Sequence, residues 1–150
     1  MKRRDFVNKK MMLLEGICRD QGMALTIQRR TILGTLAART DHPTADQLYE
    51  EVRGLIRGVS RTTVYRVLET FVQRGVVVKV SKPGAKARFD ADTGRHHHLI
   101  CLGCDSVVDC HDERLTGIAV PNEVESGFEV RDFSLAITGF CAKCRRETAH

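Results

Sequence analysis

The 150 residues are 42% hydrophobic and carry a formal net charge of +5. That length suffices for one ordinary core or two small ones, and no apolar run approaches the roughly 20 residues that a membrane-spanning helix needs. The basic start, MKRRDFVNKKMMLLEGICRD, has its apolar part broken by Glu15, Arg19 and Asp20, unlike a secretory leader, so a cytoplasmic protein with no membrane partner is expected.

The charge is unevenly spread. Up to Asp90 there are 18 Lys/Arg against 9 Asp/Glu; from Ala91 onward there are 6 against 10. A basic half joined to an acidic half points the first half alone toward a polyanion.

The elements of the basic half are read in chain order. Asp5 to Cys18 carries apolar residues at Phe6, Val7, Leu13, Leu14, Ile17 and Cys18, a loose helical stripe. Thr26 is an N-cap type, and a second helix runs from it through Ile32, Leu33, Leu36 and Ala37. In HPTADQ, Thr44 and Gln47 form a capping box. That third helix is expected to bury Leu48, Val52, Leu55 and Ile56. A break near Gly58 precedes SRTTVYRVLETFVQRG, with Ser60 as N-cap and Gly75 as C′. Val64, Val67, Leu68, Phe71 and Val72 make its apolar stripe, and Thr62, Arg66, Glu69 and Gln73 its polar face.

Two helices in tight succession, the second presenting Arg, Thr and Tyr early, suit a helix-turn-helix that reads base edges from its N-terminal residues. VVVKV and AKARFD around SKPG then read as a hairpin, the wing of a winged helix. Candidate DNA contacts are Arg29, Arg61, Thr62, Thr63, Tyr65, Arg66 and Lys79, and on the wing Lys82, Lys86 and Arg88 are placed to meet phosphates.

The acidic half carries metal chemistry. Cys101/Cys104 and Cys141/Cys144 are two C-x-x-C pairs. Four thiolates in that pattern close a tetrahedral all-sulfur sphere around zinc with no open position, so the site is structural and not catalytic. A redox dithiol is disfavoured by the second pair and by the lack of a βαβ context. Cys18 and Cys110 are left as small buried or half-buried thiols.

In RHHHLICLGC, Leu99 and Ile100 look like an entering strand, which puts His96 and His98 on one face and His97 on the other. The pair either chelates, helped by Asp90 and Asp109, or consists of ordinary hydrogen-bonded histidines. A metallohydrolase built on this pair has no clustered nucleophile or general base, and no enzyme activity is expected.

Taken together, LTIQRRTIL, HPTADQLYEEV, SRTTVYRVLETF, RGVVVKV, RFD, HHHLICLGC, VVD and GFCAKC resemble the ferric uptake regulator (Fur) family of metal-dependent repressors, in particular its peroxide-sensing, PerR-type branch. The resemblance implies an α+β chain with three parts. These are a winged-helix DNA-binding domain over 1–90, a hinge over 91–95, and a small metal-binding α/β dimerisation domain over 96–150. It implies a homodimer on a palindromic operator of double-stranded DNA. It also implies that His42, Asp90, His96, His98 and Asp109 hold a regulatory Fe(II) or Mn(II). A Glu where Asp109 stands would have suited the iron-sensing relatives.

The resemblance further implies that peroxide oxidises His42 or His96 when iron is bound, releasing metal and DNA. The alternative is a repressor of the same family that responds to iron or zinc availability without peroxide chemistry. A further family site falls at Arg95, His97 and Phe133 here and is expected to be missing or incomplete.

Overall fold

The computed structural model describes residues 2–94, 96–121, 126–131 and 133–148. It divides into two compact units, Met1–Thr93 and Gly94–His150.

The first unit begins with four helices: α1 (Arg3–Asp20), α2 (Ile27–Ala38), α3 (Ala45–Val52) and α4 (Arg61–Gln73). Their starts are set locally. Thr26, Thr44 and Ser60 each sit in extended backbone and accept a hydrogen bond from the amide three residues on, and Thr44 and Gln47 complete the reciprocal capping box. Gly75, at φ 72°, ends α4 in the left-handed conformation where a side chain would be strained.

The third helix is shorter than expected. It stops at Val52, and Leu55 is 65% exposed while Ile56 packs only partly against the core. Arg53 caps it and Gly54 follows, and a turn replaces the last helical turn that the i, i+4, i+7 pattern suggested.

After α4, Val76 and Val77 drop into the core. β1 (Val78–Val80) then pairs antiparallel with β2 (Arg88–Asp90) to form the hairpin, with Val78 opposite Asp90 and Val80 opposite Arg88. One apolar cluster holds the unit together, built from Leu14, Ile32, Leu36, Leu48, Leu68 and Phe71 among others. Burying each such side chain stabilises the fold by about 1.5–3 kcal/mol. Cys18 is one of these core residues. Lys10 is also buried; its ammonium donates to the Val76 carbonyl at 2.6 Å, and burial lowers its pKa despite Asp92 and Asp90 nearby.

The second unit contains a three-stranded sheet in the order β4–β3–β5: β3 (His97–Cys101), β4 (Val107–Cys110) and β5 (Ala136–Gly139). A short α5 (Glu113–Thr116) follows β4, and α6 (Ala142–Thr148) follows β5. β3 runs antiparallel to β4 and parallel to β5. The register sets Leu99 beside Val108 and Ile137 across all three strands, and His98 beside Asp109 on the alternate row. No helix among the described residues is long and apolar enough to cross a membrane.

Candidate metal centres

Cys101 ends β3 and Cys104 follows in the turn. Cys141 comes just after β5, and Cys144 lies in the first turn of α6. Parallel pairing sets Cys101 opposite Gly139, so the sheet itself delivers the second pair to the first. The four sulfurs all lie within 4.8 Å of one another, and Cys104 and Cys141 are 3.9 Å apart. A tetrahedron with Zn–S bonds of about 2.3 Å has S···S edges of about 3.8 Å, so the cluster has the size of a zinc site.

The backbone supports thiolate here. The Cys141 amide donates to Cys101 Sγ at 3.3 Å and is the chief reason that the Cys101 thiol falls to about 6. Cys144 is pushed up to about 12, first by its sulfur–sulfur hydrogen bond with Cys141 and then by burial and the other cysteines. Four such sulfurs cannot all ionise together without a cation between them. Gly103 is the residue that the sequence reading passed over: a Cβ on it would lie 2.8 Å from Cys144 Sγ and 2.9 Å from its Cβ. The glycine inside CLGC was the available signal.

The oxygen and nitrogen donors of the second unit share one sheet face. His96 and His98 present their rings together, centroids 4.7 Å apart, beside Asp109 of β4. Asp109 Oδ1 is 3.1 Å from His96 Nε2 and 3.6 Å from His98 Nε2. His96 Nδ1 lies 2.6 Å from the Gly94 carbonyl. With the Nδ1 proton given to that carbonyl, Nε2 carries the lone pair for a cation. Both rings are buried.

His97 projects to the other face. It is wholly buried, its Nδ1 accepts the Leu135 amide proton at 3.0 Å, and its ring lies 5.7 Å from that of Phe133. Its role is packing and strand alignment. Of the further family site, Arg95 lies outside the described residues, and Phe133 and His97 meet as packed rings.

In the first unit, His42 and Asp90 form a buried pair, Nε2 to Oδ2 3.1 Å. Asp90 ends β2, and its other oxygen accepts the Asp92 amide proton at 2.8 Å. His42 sits where the chain enters the α3 cap, with φ at 50°, a value that non-glycine residues adopt only when their surroundings hold them there. Both sets offer imidazole and carboxylate with no sulfur, donors that suit Fe(II) or Mn(II). The four sulfurs of the C-x-x-C pairs are gathered in their own cluster.

The polar residues expected to contact DNA are placed as follows. Thr62, Tyr65 and Arg66 are exposed on the first two turns of α4. The Thr63 amide and hydroxyl are both bonded to Ser60 Oγ, so this residue serves the helix cap. Arg61 is engaged by Asp46 at 2.9 Å and Glu50 at 3.3 Å and lies over the Tyr49 ring. Asp46 also pairs with Lys86 of the hairpin at 3.1 Å, and Lys79 pairs with Glu69 of α4 at 2.7 Å. The hairpin is thus pinned to the helices by two carboxylates, and these cations would have to exchange a carboxylate for a phosphate on meeting DNA. Arg29 donates to the Ala24 carbonyl beside the α2 cap. Arg88 donates to the His42 carbonyl at 3.0 Å.

A model of the ferric uptake regulator family matches residues 20–138. The "Peroxide operon regulator" of Bacillus subtilis (strain 168) is 34% identical over 132 residues, covering 88% of this chain and 91% of that protein. The "Peroxide-responsive repressor PerR" of Staphylococcus epidermidis is 31% identical over 129 residues, covering 86% of each chain. Among solved structures, a ferric uptake regulator from Pseudomonas aeruginosa with manganese is 30% identical. It superposes with a TM-score of 0.69 over 85% of this chain and 97% of its own.

Proposed function

This chain belongs to the ferric uptake regulator family, and on that premise we propose that it is a metal-dependent DNA-binding repressor whose signal is peroxide. His42 and Asp90 of the first unit and His96, His98 and Asp109 of the second would serve one Fe(II) or Mn(II) ion, while Cys101, Cys104, Cys141 and Cys144 hold a structural Zn(II). The observation that carries this reading is the segregation of donors: every sulfur of the C-x-x-C pairs is in one cluster, and the histidine–aspartate sets contain none. The named peroxide regulators among its relatives support the choice of signal over iron or zinc availability.

Three imidazoles and two carboxylates cancel a divalent charge. His42 and Asp90 are built into the base of the wing and the start of α3. An ion that they share with His96, His98 and Asp109 would tie the reader to the second unit and fix its presentation. When bound, Fe(II) supplies the electrons that convert hydrogen peroxide into a local oxidant, which Mn(II) does not readily do. His42 and His96 are the rings that this oxidant would meet; an added oxygen would weaken either ring as a donor and would open the ligand set.

The row Leu99, Val108 and Ile137 is apolar and 41%, 54% and 37% exposed. It favours a homodimer through the second unit, with two readers on a palindromic operator. The test is operator binding titrated with Fe(II), Mn(II) and Zn(II), each with and without peroxide. Binding that needs metal, and that peroxide abolishes with Fe(II) but not Mn(II), is expected. Binding indifferent to peroxide with every metal would favour the availability sensor.

A further inference from the structure

We infer that Arg88 is the positioning residue that holds His42 in its ligating pose, so that the wing and the sensor are one mechanical piece. The inference rests on the proposed role of His42 as a metal ligand.

Arg88 and Asp90 are two residues apart on β2, so they project from the same side of the strand, while Phe89 between them is buried in the core. Both engage His42. Asp90 Oδ2 is 3.1 Å from the His42 ring nitrogen Nε2, and Arg88 Nη1 donates to the His42 main-chain carbonyl at 3.0 Å. One strand thus grips both the ring and the backbone of the same residue. The grip continues along the chain. The Phe89 amide donates to the Pro43 carbonyl at 3.0 Å, and Arg88 forms a β-bridge with Thr44, the N-cap of α3.

His42 needs such a grip. Its φ of 50° is unfavourable for a residue with a side chain, and the proline after it bars the right-handed helical alternative. The Pro43 carbonyl and Thr44 bridge hold the residues after His42, and the guanidinium holds the His42 carbonyl itself. Without it, the chain at His42 is expected to relax toward ordinary backbone angles, swinging the imidazole off Asp90. A guanidinium keeps its charge at any working pH, so the clamp is permanent. The contact uses one nitrogen on one carbonyl, a geometry that a lysine ammonium can reproduce.

The position also has a simpler reading, a phosphate contact from the wing. The two differ in where they act: a phosphate contact weakens DNA binding and leaves metal affinity alone, whereas the clamp acts on metal with no DNA present. The experiment measures Mn(II) affinity of the full chain, zinc retained and DNA absent, by competition with a fluorescent chelator. The variants are Arg88→Met, Arg88→Lys, Arg88→Gln and His42→Ala, with helix content and zinc stoichiometry checked for each. Loss of one charge-assisted hydrogen bond at a half-buried site should weaken Mn(II) about tenfold in Arg88→Met, with Arg88→Lys close to the unsubstituted protein. Unchanged Mn(II) affinity in a folded Arg88→Met overturns the inference. If Arg88→Met does not fold, Arg88→Lys must bind Mn(II) more tightly than Arg88→Gln, and equal affinities overturn it. His42→Ala separates the two levels. If it too leaves Mn(II) affinity unchanged, the ligand set itself is wrong; if it weakens Mn(II) while Arg88→Met does not, only the clamp is wrong.

Discussion

The two units solve the problem of staying folded in opposite ways. Among the described residues, the first has seventeen buried apolar residues in one cluster, fed by four helices and the base of a hairpin. In the second, the buried apolar side chains among the described residues are Ile100, Cys101 and Val107 of the sheet and Cys144 of α6, and the register-matched row Leu99, Val108 and Ile137 faces outward. Small units with so little buried surface need a staple or a partner, and the four-cysteine cluster supplies the staple. The difference teaches where metal matters. Burial holds the first unit together, so metal would only adjust how it is presented to DNA. Zinc holds the second unit together, so its removal should destroy the platform that carries His96, His98 and Asp109.

The largest effect that would break this contrast is zinc removal. Chelation, or Cys144→Ser, should abolish amide-exchange protection at residues 97–101, 107–110 and 136–139 and leave α2 and α4 protected. Gly103→Ala should move in the same direction, because its Cβ cannot coexist with Cys144 at 2.8 Å. Uniform loss of protection in both units would refute the contrast.

A smaller effect sharpens it from the other side. Leu68 is fully buried in the first unit, and Leu68→Ala should cost about 2–5 kcal/mol. Denaturant unfolding followed on the first unit should show the same cost with and without zinc, since sites with no shared partners act additively. A cost that depends on zinc would mean that the units do not fold independently.

The sequence disclosed most where its signals are local. Thr26, Thr44, Ser60 and Gly75 set helix ends through hydrogen bonds and backbone angles within a few residues, and all four act as read. The C-x-x-C pairs were legible for the same reason, since spacing alone fixes how two sulfurs meet one ion. The third helix was overextended because Leu55 and Ile56 continued its period, while the turn at Gly54 ended it. β5 escaped notice: Ala136–Gly139 has no alternating pattern, and it is a strand because of parallel pairing with β3, some 38 residues earlier by its His98–Ala136 register. The tethering of Arg61 by Asp46 and Glu50, and the reach of Arg88 to the His42 carbonyl, depend on contacts between elements that no local pattern encodes.

The central claim is that the sensor is the thiol-free histidine–aspartate set and that the cysteines stay on zinc. The direct measurement is peptide mass spectrometry of zinc-loaded protein given Fe(II) or Mn(II) and then stoichiometric peroxide. The account predicts one added oxygen on the peptide carrying His42 or His96 with Fe(II), none with Mn(II), and unmodified Cys101, Cys104, Cys141 and Cys144 in both. Oxidation confined to cysteine, with both histidine peptides unchanged, would contradict it.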